Sequence, residues 1–405
     1  MNNLIGIIKF WIKHRYNRIV NSIAFYPAFI AFAFLIASIL FIRFDFSETG
    51  QTLKEEFEWL NLRDASTARN IIAVVAGGIL SLTVFSFSMV MIVLNQAASQ
   101  MSNRVLNKLI GNRFQQIVLG IYIGTIVFAL FLLTAVRDIN SGIFIPAIST
   151  YILIIIAIID IFIFIYFLHY ITQSVKYEII IKRILTVTLH NMKGSCYLKK
   201  EPEAITQIDF NYEIKTPKTG VYEGFDKDTL IDICNKNDCK VSILYSPGTF
   251  VFKELAVIKV NKKISDEALK KIQKTLYLSQ DETIVGNFFY GFRQLTEIAI
   301  KALSPGINDP GTASLALRAL FELFIYRVVY FPENTIKDKN DKACIYVKQP
   351  DFETIFNMTV LPIWDYGKND RIIQNEMHGL LEQFLSLHPN TEMEFFFKEI
   401  SKGSN

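Results

Sequence analysis

Four apolar stretches, near residues 22–42, 70–94, 115–136 and 147–171, decide most of what this chain can become. Each has the roughly 20 residues that a helix needs to cross a hydrocarbon core of about 30 Å. The first is no cleaved signal, because it is too long, is followed by no small-residue cleavage pattern, and sits behind a basic amphipathic lead, residues 1–21. That lead carries Lys9, Lys13, Arg15 and Arg18, cations suited to anionic lipid headgroups. Of the 405 residues, 51% are hydrophobic and 34 are Phe, which is high for a water-soluble chain. The apolar excess ends near residue 172, so a membrane half (22–175) and a second half are expected.

Lys and Arg concentrate on the cytoplasmic side of short loops. The basic lead, the loop 95–114 (Arg104, Lys108, Arg113) and the start of the second half (Lys176, Lys182, Arg183) alternate with a loop 43–69 rich in acids, among them Asp45, Glu48, Glu55, Glu56, Glu58 and Asp64. Both termini are therefore expected in the cytoplasm. Cysteine usage agrees: Cys196, Cys234, Cys239 and Cys344 have neither disulfide-framework density nor zinc-ligand spacing and read as buried free thiols.

The second half divides by pattern. Residues 176–262 read as a linker helix and a β-rich module, since period-two alternation in "ITQIDFNYEIKTPKTGVYEGF" and "CKVSILYSPGTFVFKELAVIKV" is broken by Pro-Gly turn signals. One short helix is expected at Asp228–Asn235, and Ser265 stands as a cap before "DEALKKIQKTLYL". Residues 263–405 read as an α-helical domain. The fold class is thus an integral membrane protein with four transmembrane helices plus a cytoplasmic α+β region.

Within the helical part, Ser304-Pro305-Gly306-Ile307-Asn308-Asp309-Pro310 forms a tight joint. Pro310 suits the first position of a helix capped by Asp309, Gly306 suits the left-handed residue that ends the preceding helix, and Pro305 stops that helix from continuing. A rigid helical hairpin explains this. A helix N-terminus holding an anion or a partner is the alternative, since a two-sided cap does not need both Asn308 and Asp309.

"SLTVFSFSMVMIVLNQAASQMSNRVL", "QQIVLGIYIGTIVFALFLLTAV", "IYFLHYI" and "FRQLTEIAIKALSPGINDPGTA" resemble a bacterial membrane-protein family, domain of unknown function 2254. The resemblance covers nearly the whole chain and implies a bacterial inner-membrane protein with this domain order. It implies no activity. The chain departs from the family pattern at Tyr170, where a second histidine is expected, and at Gly311, where an aromatic is usual.

Two polar features stand in the apolar half. Asp160 lies near the middle of the fourth stretch and reads either as a proton or cation site or as a neutral acid hydrogen-bonded between helices. His169, nine residues on, falls roughly 180° away and reads as an interfacial or interhelical hydrogen bonder. On the second stretch Gly77, Ser81, Ser88, Asn95, Ser99 and Ser102 share an arc of roughly 60°. Such a stripe suits close helix packing or a wet, pore-lining face.

No phosphate-binding loop, nucleophile elbow or zinc-binding His pair occurs, and His14, His169, His190, His378 and His388 are dispersed. Neither catalysis, a cofactor nor a metal is expected. A net charge of +4 leaves no basic stripe for nucleic acid. Two functions remain: a homo-oligomeric channel or transport protein gated by its cytoplasmic domains, or a membrane-anchored sensor or scaffold. The charge pattern makes a first prediction. A cysteine placed at Glu56 should react with an impermeant thiol reagent added to intact cells and one at Lys108 should not, and the opposite labelling would reverse the orientation.

Overall fold

The computed structural model describes residues 24–57, 62, 64–100, 113–139, 142–174, 176–202, 208–279, 287–389, 393–394 and 396–398, with backbone alone at 96–100, 137–139, 142–144, 279 and 343. The basic lead 1–21 lies outside them. The chain divides into two compact units, the first running to Lys176 and the second starting at Tyr177.

The first unit contains α1 (Phe25–Asp45), the short α2 (Glu48–Glu56), α3 (Ala65–Gln100), α4 (Arg113–Ala135), a hairpin of β1 (Arg137–Ile139) and β2 (Gly142–Phe144), and α5 (Ala147–Ser174). Among the described residues, α1, α3, α4 and α5 are long and apolar enough to cross a membrane, one for each apolar stretch. Gly120 and Gly124, one turn apart on α4, let it lie close against α1: a Cβ on either would stand 2.8 Å from Ile30 or from the Phe34 ring. A second tie joins helix ends. The carboxylate of Asp45, fully buried at the end of α1, accepts the N–H groups of Ile148 (3.1 Å) and Ser149 (2.7 Å) in the first turn of α5. Lys54 completes it, with Nζ 3.3 Å from Asp45 Oδ1 and donating to the Asp45 carbonyl at 2.7 Å. Helix α3 packs by one face only, through Ala65, Ala68 and Ile72 near Phe128, Leu132 and Leu153, and through Ile79 near Tyr122 and Phe167.

The second unit opens with α6 (Tyr177–Ser195), β3 (Cys196–Leu198), β4 (Tyr212–Lys215), β5 (Gly220–Phe225), α7 (Lys227–Lys236), β6 (Val241–Ile243), β7 (Thr249–Val251) and β8 (Ala256–Val260). It continues through α8 (Asp266–Thr275), β9 (Leu276–Ser279), α9 (Phe289–Leu303), α10 (Pro310–Val329), β10 (Phe331–Pro332), β11 (Thr335–Lys337), β12 (Ala343–Val347), α11 (Phe352–Gly367) and α12 (Arg371–Leu387). Ser265 caps α8 as its sequence suggests, accepting from Ala268 N at 3.3 Å.

Residues 263–405 are not helical throughout. A five-stranded sheet runs β11-β12-β6-β8-β4, with β12 parallel to β6 and its other pairs antiparallel, and β9 joins β5 and β7 in a second sheet. Strand β12 escapes a period-two reading because Cys344, Ile345, Tyr346 and Val347 are all buried, as in a strand covered on both faces. Segments 176–262 and 263–405 thus share one sheet core, in which Val241, Ile243, Ile258 and Ile345 pack with Leu230 of α7 and Ile272 of α8. Around α9 and α10 the helices meet through Phe292, Phe321, Phe324, Phe356 and Phe384, mostly edge to face.

The glycine contact predicts a polarity of mutational effect. Gly124→Val should lower the melting temperature of the purified protein, the overpacking costing about 1–3 kcal/mol. Gly379→Ala, on α12 where a Cβ meets open space, should instead be neutral or raise it, because alanine favours a helix interior by roughly 0.5–1 kcal/mol over glycine.

Candidate functional site

The stripe on α3 lies on the outside of the first unit. Gly77, Ser81, Ser88 and Asn95 are exposed, and a Cβ on Gly77 or Gly78 would meet open space. Among the described residues of this unit no helix packs against this line. The hydroxyls of Ser81 and Ser88 donate to Gly77 O and Val84 O, both at 2.9 Å, which satisfies their protons and leaves lone pairs outward. Exposed Val84 interrupts it, and exposed Leu80, Phe85 and Ile92 flank it. The side chain of Ser99, and all of Ser102, lie outside the described residues.

Asp160 faces inward. It is fully buried on α5, on the face that also buries Leu153 and Phe167. Across from it stand Tyr122 and Thr125, one turn apart on α4, and Ser86 on α3, all fully buried. Thr125 lies beside the carboxyl and Ser86 beside the Tyr122 hydroxyl, yet no hydrogen bond of ordinary geometry closes in either pair. Both carboxylate oxygens of Asp160, Tyr122 Oη and Ser86 Oγ are consequently without a hydrogen-bond partner among the described residues. A buried polar atom left unsatisfied costs about 1–3 kcal/mol, and an ionised acid at mid-span costs at least roughly 2.5–3.5 kcal/mol. Ser86, Tyr122 and Thr125 escaped the sequence reading, although "GIYIGT" places a phenol and a hydroxyl three residues apart on one face.

His169 is exposed on α5 and does not join Asp160, in keeping with the half-turn between them. Among the described residues no group of three or more His, Cys, Asp or Glu stands close enough to hold a metal ion. The four cysteines are free and buried. Burial pushes the Cys196 thiol up to about 11 in spite of the nearby Arg327 guanidinium.

At the joint, Asp309 caps α10 by accepting from Thr312 N (3.0 Å) and the Thr312 hydroxyl (2.6 Å), with Pro310 at the first helical position. The left-handed residue is Asn308, at φ 48°, not Gly306. The chain runs one further turn after α9, with Ile307 N and Asn308 N both donating to Ser304 O, so the reversal comes two residues later than expected. Asn308 turns the chain and Asp309 caps the helix, which accounts for the presence of both. Asp309→Ala should destabilise the protein by about 0.5–2 kcal/mol while Asp309→Ser largely preserves it. Asn308→Gly should be near neutral and Asn308→Val should cost about 1–3 kcal/mol, as read by thermal melting.

No solved structure matches the chain. An uncharacterized protein of Mycobacterium bovis and another of Mycobacterium tuberculosis are each 22% identical to it over 335 residues. The aligned part is 78% of this chain and 63% of each relative, so the chain spans less than two thirds of their length. A family model described as "Predicted membrane protein (DUF2254)" matches residues 20–383, from before α1 into α12. With that match running through both units, the chain belongs to the DUF2254 family of predicted membrane proteins.

Proposed function

We propose that the chain assembles with copies of itself in a bacterial inner membrane through the outer face of α3, and that Gly77, Ser81, Ser88 and Asn95 line a path for small ions. One observation carries this reading: a polar line on a spanning helix is open to its surroundings within the chain. Lipid is a poor neighbour for Asn95. In a symmetric ring each stripe residue would face its own copies across an aqueous axis, with Phe85 and Ile92 forming the apolar contact between subunits. The second unit, in the cytoplasm with both termini, would gate the path. Neither catalysis nor nucleic-acid binding enters this reading.

A second reading, a membrane-anchored sensor, is favoured by a cleft in the second unit. About 350 Å³ in volume, it is lined by the turn Ser246–Thr249, Phe289, Arg293, Lys348 and Asp351. That lining suits a small ligand with an apolar body and a negative group.

Ser88→Leu separates the two. In the channel, flux of ions into liposomes reconstituted with the protein should fall at least about tenfold while the oligomer melts as before, because a wet face has nothing to clash with. Absence of flux through the parent protein, together with an oligomer destabilised by the leucine, would sink the channel and make the stripe a packing seam of an anchored sensor.

A further inference from the structure

Ser86 breaks a local rule. On α3 the hydroxyls of Ser81, Thr83 and Ser88 each donate to a carbonyl one turn earlier, and Ser86 Oγ does not. It lies nine residues from Gly77, roughly 180° around the helix from the exposed stripe, and points among buried groups. Those groups are the Tyr122 hydroxyl and the Asp160 carboxyl, each as fully buried and as lacking in hydrogen bonds as Ser86 itself. Thr125 Oγ1 spends its proton on Ile121 O at 3.0 Å, which leaves its lone pairs for a neighbour. Three helices thus bring oxygen atoms into one buried cluster, Ser86 beside Tyr122 and Thr125 beside Asp160.

We infer that Ser86, Tyr122, Thr125 and Asp160 form a binding site inside the four-helix unit for one monovalent cation, a proton or an alkali ion such as Na⁺ or Li⁺. The donor set is all oxygen, which suits a hard cation and excludes the nitrogen and sulfur ligands that select transition metals. One carboxylate balances one positive charge, whereas a divalent ion would keep an uncompensated charge in the apolar interior. Within reach of Asp160 the only titratable group is Tyr122 on α4; α1 and α3 bring no ionisable side chain to it among the described residues. Among the described residues no lysine, arginine or histidine therefore stands ready to neutralise the carboxylate, and a cation from outside the chain fills that role. Because the ligands come from α3, α4 and α5, occupancy ties the one-sided α3 to its neighbours. The site is distinct from the outward stripe and does not depend on assembly.

The test uses the full-length protein in liposomes and dicyclohexylcarbodiimide, an apolar reagent that adds to protonated carboxyl groups, with Asp160 labelling read by peptide mass spectrometry. Labelling should fall as pH rises. For an alkali site, Na⁺ or Li⁺ should suppress it at fixed pH by roughly tenfold relative to choline, as expected when a ligand well above its dissociation constant competes for one group. Suppression by pH alone identifies a proton site. Ser86→Ala and Tyr122→Phe should each weaken the alkali or pH effect several-fold. Melting temperature provides a second readout: in the parent it should shift with pH or with Na⁺, and in Asp160→Asn it should not. Labelling indifferent to pH, Na⁺ and Li⁺ would overturn the inference. So would an unlabelled Asp160 whose protein melts identically under all these conditions.

Discussion

Asp45 is where the first unit is tied together. Its carboxylate receives the opening amides of α5, more than a hundred residues away in sequence, while its own residue ends α1 and Lys54 of α2 closes over it. A helix start normally leaves its first N–H groups without intrahelical acceptors, and here another long apolar helix supplies the acceptor. Removing the Asp45 carboxylate would leave both a largely buried Lys54 ammonium and bare amides, a far larger penalty than losing an exposed ion pair. With the ends fixed at Asp45 and the middles at Gly120 and Gly124, α1, α4 and α5 form a closed set. Helix α3 is left to dock by one face and to present the other outward.

That division gives α3 two polar characters on opposite sides. Outward, small and hydroxylated residues sit among large exposed apolar ones. Inward, Ser86 joins the Asp160 group. A change in how α3 docks would therefore be felt on both sides at once, at an exposed line and at a buried cluster, without any contact between them. Coupling of that kind needs only a single rigid element with two arrangements.

The spans were legible because length and apolarity are local properties, and so were the caps at Ser265 and Asp309, where side-chain chemistry and position coincide. Asp160 could be flagged from its apolar setting alone. Its companions could not, since nothing local to "FSFS" or "GIYIGT" says which helices will face each other. Asp45 reads in the sequence as one more loop acid and is in fact buried, because its partner amides lie on a distant helix. At the joint, glycine is the general expectation for a left-handed residue, and the hydrogen bonds to Ser304 O moved that role to Asn308. Strand β12 was hidden by its own burial: a residue run covered on both faces loses the alternation that marks a strand.

The late arrival of β12 has a consequence for biogenesis. Strand β6 pairs in parallel with it, Val241 opposite Ile345, and the chain between them holds the helices α9 and α10. At ribosomal speeds of about 5–20 residues per second, β6 waits on the order of ten seconds with one edge bare. An unpaired edge of this kind is a template for strand addition by other chains. Nascent polypeptides stalled before residue 347 would hold an incomplete sheet with that edge bare, a natural substrate for holding chaperones and for quality-control proteolysis.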